Sequence, residues 1–295
     1  MLEKLLIIRG FLERNRFKIC PFILIFFFAE VIIFIDLTSR PEVLSEYFLP
    51  VGEGDGELII TPSGAKILID GGPDSFSVLK GLEKILSPYD RYIDAVVLTH
   101  PEADHFTGLI NVFKRYKVGI FISNGIISDK DSFKNLSSVI AENNLPSISL
   151  FSGDELRNGS VLVRVLSPNA NRNKSVSLNE SALVLDIEFG ESRSLFMSDV
   201  GSAVEKSVAS GIYKPVSLIK VAHHGSKNSS SRYFLETLHP ELAVIEVGKN
   251  NYGHPSFETI DRLKENGAEI FRTDQVGLLE VTLKENGRLE VFKMK

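Results

Sequence analysis

Apolar positions along this chain fall into three rhythms, and each predicts a different kind of element. The first is an almost unbroken apolar run over residues 19–35, interrupted by Glu30. The second is a series of short runs rich in Val, Ile and Leu, closed by Gly, Asp or Pro. These read as strands over 47–49, 58–60, 66–69, 95–98, 118–122, 147–151, 161–166, 183–189, 194–197, 216–221 and 242–247. The third is helical spacing, as in Val78, Leu79, Leu82 and Leu86, which predicts helices over 77–86, 109–116, 132–143, 231–238 and 256–266. Short strands close the chain. Strands and helices alternate, and the polar motifs fall just past strand ends, where open sheets place ligands. The fold class expected is α/β (α+β).

The apolar run sets the domain plan. Arg9, Arg14, Arg16 and Lys18 precede it and Asp36 follows. Its length is at the short end of the roughly 17–25 residues needed to span a bilayer. The flanking charges favour a cytoplasmic N-terminus with the bulk of the chain outside. Glu30 costs roughly 2–3 kcal/mol if central, and its place near the distal end relieves part of that by snorkelling. The expectation is a basic N-terminus over 1–18, a single transmembrane helix over 19–36, a linker over 37–45 and one compact domain over 46–295. A core helix of a soluble protein is the alternative. No small-x-small cleavage site follows the run.

Composition narrows the chemistry. At 295 residues, 43% hydrophobic and 24% charged, the chain holds ample core for an ordinary globular domain. A net charge of −5 gives no basic field for tight non-specific nucleic-acid binding. A single cysteine, Cys20, excludes an intramolecular disulfide and any cysteine-based zinc cluster.

Metal chemistry is written into a different set of residues. The strand ending at Leu98 delivers His100, Pro101 stops the ladder, and Glu102, Asp104 and His105 follow at once. Carboxylates crowded together repel unless a cation sits between them. All the histidines but His239 fall into three such motifs: this one, His223-His224-Gly225-Ser226, and Asn250-Asn251-Tyr252-Gly253-His254-Pro255. Asp70, Asp199 and Asp55 are further acids at strand tips or tight glycine turns. Ordinary roles stand beside the chemical ones: Asp199 as a helix N-cap for Ser202 onward, His254 as a turn residue packed on Tyr252, and Lys227 as a solvated surface lysine.

His100-Pro101-Glu102-Ala103-Asp104-His105 resembles the H-x-[HDE]-x-D-H signature of metallo-β-lactamase-fold hydrolases. Phe48-Leu49-Pro50-Val51-Gly52-Glu53-Gly54-Asp55, Ile67-Leu68-Ile69-Asp70-Gly71-Gly72, Phe196-Met197-Ser198-Asp199 and Lys220-Val221-Ala222-His223-His224-Gly225-Ser226 fall in that family's order. With the late Gly253-His254-Pro255, the version is similar to the hydrolase domain of ComEC-type DNA-uptake (competence) proteins. The resemblance implies a metallo-β-lactamase-like four-layer αββα sandwich. It also implies two divalent ions, with His100 and Glu102 on one, Asp104 and His105 on the other, Asp199 bridging, and one histidine of the next pair, His223 in this reading, completing the second site. Asp70 and Asp55 would support the loops.

Two departures from the family matter. The usual middle histidine of the signature is Glu102, and no histidine lies between His105 and Asp199, where Asn179-Glu180-Ser181 stands instead. More oxygen and less nitrogen favours Mn²⁺ or Mg²⁺ over Zn²⁺ at the first site and weakens it.

Two ions roughly 3.5–4 Å apart would activate a water and clamp the attacking and leaving oxygens of a phosphodiester. His224 or His254 would give a proton to the leaving oxygen or hold a phosphate oxygen, and Asp104 would serve catalysis from the metal. Asn179, Ser181, Ser226 and Lys227 are the candidate substrate contacts. The leading expectation is a membrane-anchored, extracytoplasmic hydrolase of single-stranded DNA. One apolar segment forms no channel, so transport would need a separate DNA-uptake channel protein. The alternatives are hydrolysis of a small ester, lactone or amide, and a non-catalytic module binding nucleic acid or envelope components.

Overall fold

The computed structural model describes residues 21–22, 24–32, 42–171, 177–212 and 214–294. The compact unit Val43–Lys295 contains both sheets. It opens at Val43, ahead of the expected 46, because the first strand pairs from there: Val43 lies opposite Lys284.

One sheet contains β1 (Val43–Phe48), β2 (Glu57–Ile60), β3 (Lys66–Ile69), β4 (Tyr92–Leu98), β5 (Lys117–Ser123), β6 (Ser147–Ser149), β14 (Leu278–Lys284) and β15 (Leu289–Met294). The other contains β7 (Glu155–Asn158), β8 (Val161–Ser167), β9 (Val184–Phe189), β10 (Ser192–Phe196), β11 (Leu218–Lys220), β12 (Leu242–Ile245) and β13 (Glu269–Arg272). Their orders are β15-β14-β1-β2-β3-β4-β5-β6 and β13-β12-β11-β10-β9-β8-β7. In each sheet an antiparallel half gives way to a parallel one, from β3 to β6 and from β10 to β13.

Alternation along the strands sorts the apolar residues into three layers of core. Ala95 and Val97 of β4 face the other sheet, where they join Leu218 of β11 and Leu242 and Val244 of β12. Ile93, Val96 and Leu98 of the same strand face helices instead, packing with Leu82, Val112 and Leu136. Ile219, Ala243 and Ile245 face the helices outside the second sheet, with Val208, Leu235 and Leu263. Three cores between four layers make an αββα sandwich, because central strands such as β4, β11 and β12 are apolar on both faces and must be covered twice.

Strand β7 was not anticipated, since Glu155–Asn158 is polar and mostly exposed and carries no apolar alternation. The helix expected over 77–86 is Ser77–Ile85, and that over 256–266 is Phe257–Glu265. Of the expected 19–36 anchor, residues 19–20, 23 and 33–36 lie outside the described residues. Its described part, 21–22 and 24–32, is helical and exposes Phe22, Ile25, Phe26 and Phe28. Among the described residues no helix is long and apolar enough to cross a membrane.

Candidate metal centre

Every residue of the centre sits just past a strand end, and backbone conformation does the aiming. Asp70 follows β3 with φ 54°, a left-handed state that Asp tolerates better than most residues. From there its carboxylate accepts the Thr99 N–H (2.9 Å) and the Thr99 hydroxyl (2.6 Å), and it meets His105 Nδ1 at 2.7 Å. That contact holds Nδ1 toward Asp70 and turns His105 Nε2 into the site. Asp104 and His105 lie in the short helix Ala103–Phe106 that starts directly after Glu102. Gly54 passes so close to Asp104 that a side chain there would strike the Asp104 carbonyl.

The second sheet supplies the facing half. Asp199 follows β10, and the helix behind it is capped by Gly201 rather than by Asp199. His223 and His224 both adopt left-handed backbone, φ 50° and φ 52°. That turn sends His224 inward: its Nδ1 donates to the Glu246 carbonyl at 3.0 Å. His224 Nε2 is then 3.8 Å from Asp104 Oδ2 and 3.8 Å from Asp199 Oδ2, while His105 Nε2 is 3.4 Å from Asp199 Oδ2. Ligand atoms of Asp104, His105, Asp199 and His224 all lie within 4.8 Å of one another.

His105 Nε2, His224 Nε2, Asp199 Oδ1 and His100 Nε2 are buried and accept or donate no hydrogen bond. Buried polar atoms without a partner are rare and need a reason. A cation at their meeting point is one that also answers the charge. Against burial, His224 and His105 hold the Asp199 carboxyl far below the usual range. Burial disfavours a charged His224, yet Asp199, Asp104 and Asp55 push its pKa up to about 10. His105 is likewise drawn well above its ordinary value, against burial, by Asp199 and Asp70. The carboxylates thus recruit positive charge to imidazole nitrogens, the charge a divalent ion would supply in their place. Four nitrogen and oxygen donors of this kind fit such an ion.

The structure rearranges part of the expected ligand set. His100 is present but alone on its side: burial, reinforced by neighbouring His105, pushes its pKa down to about 3, and the two rings lie 4.1 Å apart. The Glu102 side chain makes no hydrogen bond or ion pair with any described residue and stays outside the cluster. His223, expected as the ligand, is half-buried with Nε2 3.8 Å from Asp199 Oδ2. It is outside the mutual group, and His224 is inside it. The converging group is thus Asp104, His105, Asp199 and His224, without His100, Glu102 or His223.

Among the expected substrate contacts, Asn179 and Ser181 form a 3-10 turn with Ser181 buried. Its carbonyl accepts the Asn124 side-chain amide, 2.9 Å away. Glu180 of that turn accepts the Gly201 N–H at 3.0 Å, bracing the loop after Asp199. Ser226 is buried in its own turn, with its hydroxyl accepting the Asn228 N–H at 3.4 Å. Lys227 is exposed. His254 Nδ1 lies 2.9 Å from Glu53 Oε1, and its ring also stacks with Tyr252 at 5.7 Å. Its turn role and its place beside the site hold together.

Sequence reasoning missed what lies beneath. Lys220, wholly buried, pairs with Asp55, whose Oδ1 is 3.4 Å from His224 Nδ1 and whose Oδ2 is 3.8 Å from His105 Nδ1. Glu57 and Glu246 complete a buried knot with Asp55. Burial pushes the Glu57 carboxyl up to about 8, with nearby Asp55 adding to the rise. The lysine ammonium already answers these acids. The signal was a lysine and two glutamates inside otherwise apolar strand ends, where an outward-facing charge is the default reading.

Comparison with known proteins agrees with this arrangement. The profile of the metallo-beta-lactamase superfamily matches residues 58–129. ComE operon protein 3 of Bacillus subtilis (strain 168) is 30% identical over 87% of this chain and 35% of its own length. Competence protein ComA of Neisseria gonorrhoeae is 27% identical over 87% of this chain and 36% of its own length. The chain thus spans about a third of the curated relatives it matches. The metallo-beta-lactamase fold protein YhfI from Bacillus subtilis superposes over 84% of this chain and 99% of its own, with a TM-score of 0.56 and 11% identity.

Fold, matched segment and ligand cluster together define a metallo-β-lactamase-fold, metal-dependent hydrolase domain. Within that class, the competence-protein relatives mark it as a domain of the ComEC type.

Proposed function

We propose that this domain hydrolyses phosphodiesters of single-stranded DNA, and that it does so with a divalent ion held by Asp104, His105, Asp199 and His224. The observation that carries the reading is the convergence of these four side chains, with His105 Nε2, His224 Nε2 and Asp199 Oδ1 buried and without a hydrogen-bond partner. Two carboxylates and two imidazoles suit Mn²⁺ or Zn²⁺, and Mn²⁺ is preferred for its affinity for oxygen donors. A second ion beside His100 would share Asp199 and bind weakly.

When bound, the ion supplies Lewis-acid polarisation of the phosphoryl group and a nucleophile at neutral pH. The protein's own groups do the rest. Asp70 and the Glu246 carbonyl hold the two ligand imidazoles with Nε2 turned into the site. His254, oriented through Nδ1 by Glu53, is placed to hand a proton from Nε2 to the leaving oxygen. The competence-protein relatives support DNA as the substrate and uptake as the setting. The basic residues before the apolar run support an extracytoplasmic domain behind an N-terminal anchor, and protease accessibility in intact cells tests that placement.

With Mn²⁺ added, the purified protein should cut unstructured DNA, and Asp104→Ala should abolish cutting. Turnover of a small ester or lactone with no cutting of DNA would replace this reading with the alternative hydrolase. Metal binding without turnover of either substrate would make the chain a binding module.

A further inference from the structure

A metal centre accounts for how a phosphodiester is cleaved but not for how the rest of a nucleic-acid strand is held. Electrostatics supplies little here, since the chain carries a net charge of −5. The rim of the centre offers a different means. Tyr252 is 79% exposed, a large aromatic ring left in water beside the site. It is also fixed. Asn250 Oδ1 accepts the backbone N–H groups of Tyr252, Gly253 and His254 at 3.1, 3.0 and 3.0 Å. The Asn250 amide nitrogen returns to the carbonyls of Gly248 and His254.

The loop is tied to its neighbours as firmly as to itself. Glu53 takes the Gly248 N–H at 3.0 Å with one oxygen and His254 Nδ1 with the other. Ser256 N–H donates to the Gly225 carbonyl, 2.9 Å away in the turn that carries His224. An exposed ring on a rigid loop loses little entropy on binding, which is what a recognition platform needs.

The rings form a path to the chemistry. Tyr252 stacks on His254 with centroids 5.7 Å apart and planes 30° apart. The His254 ring is 5.5 Å from His223 and 6.2 Å from His224. Tyr252 is thus one ring removed from the proposed proton donor and two from a metal ligand, with its outer face open. Phe257, 87% exposed, follows on the same segment.

We propose that Tyr252 is the platform on which an unpaired nucleobase beside the scissile phosphodiester stacks, so that the site selects single strands. Bases in a duplex already stack on each other and offer no free face. A base stacked on an aromatic side chain gains affinity whatever its identity, because every base has a π-face. The proposal rests on the DNA-hydrolase reading, but it is tested by binding, which does not require turnover.

The experiment uses the full chain with Ca²⁺ and fluorescence anisotropy, comparing an oligothymidylate with a strand of the same length built of abasic sites. Wild-type protein should bind the base-bearing strand more tightly. Tyr252→Ala should weaken that binding by roughly five- to hundredfold, the range set by loss of one stack. The abasic strand should change less than twofold, and Tyr252→Trp should restore affinity for oligothymidylate. Under Mn²⁺ the loss should appear in KM.

Equal affinity of the wild type for both strands overturns the platform. So does a Tyr252→Ala loss that is the same on both, which would mark a structural role, or no loss at all. Absence of DNA cutting by the wild type under Mn²⁺ defeats the hydrolase reading and leaves the binding comparison to decide the platform alone.

Discussion

Glu46 is a carboxylic acid in the wrong layer, and its cost can be worked out. On β1 it shares a face with Leu44 and Phe48, both of which point into the core between the sheets. Glu46 is wholly buried, and neither of its oxygens has a hydrogen-bond partner within ordinary geometry. Burial raises its pKa from 4.5 to about 8, with only the nearby Ser194 hydroxyl working the other way. The group is therefore protonated in the folded protein at neutral pH. Below pH 4.5 both states hold the proton and stability is unaffected. As pH rises, the unfolded chain releases the proton and the folded chain does not, so stability falls until Glu46 ionises in place near pH 8. Each tenfold step is worth about 1.4 kcal/mol. From pH 5 to pH 7 this group alone should withdraw about 3 kcal/mol.

Glu46→Gln keeps the shape and cannot ionise. Urea denaturation at the two pH values should find the variant's advantage over the wild type larger at pH 7 than at pH 5 by about 3 kcal/mol, with equal m-values. An advantage that is the same at both pH values would show that Glu46 is charged in the fold or partnered there, and the reasoning would fail.

Further substitutions probe the centre and its support. His224→Ala should remove the tight ion, weakening Mn²⁺ affinity in calorimetry by well over the ~10–100-fold expected for loss of a group outside the ligand set; His223→Ala should leave tight binding within that smaller range, and the reverse order would restore His223 as the ligand. Lys220→Met leaves Asp55 buried without its cation and should cost roughly 3–5 kcal/mol in urea denaturation. Adding Asp55→Asn to it should recover much of that loss, and full additivity of the two changes would show that the pair does not interact.

How much of this was legible depended on what kind of signal each residue gave. The placement of His100 and Asp199 was readable because apolar runs stop just before them, with Asp104 and His105 close behind the first, and a strand end is a place as well as a pattern. The layers were readable because strands such as β4 and β12 are apolar on both faces. The choice between His223 and His224 was not, because both have left-handed backbone and side-chain alternation gives no direction through such a turn. Glu102 entered the expected ligand set through its place in the family signature, and neither signature nor spacing says which way a residue preceding a helix points its side chain. Lys220 and Glu246 were invisible for another reason: a charge next to apolar strand residues ordinarily faces water, and only the tertiary pairing with Asp55 and Glu57 makes burial tolerable.

Asp70, His100 and His105 come from the first sheet, and Asp199 and His224 from the second. Neither half has a usable coordination set until the sandwich has closed, so an ion held there acts as a rivet through the two sheets. Metal loading then reports on folding: a half-formed chain is unarmed, and whatever bond-breaking capacity the domain has is withheld until its architecture is complete.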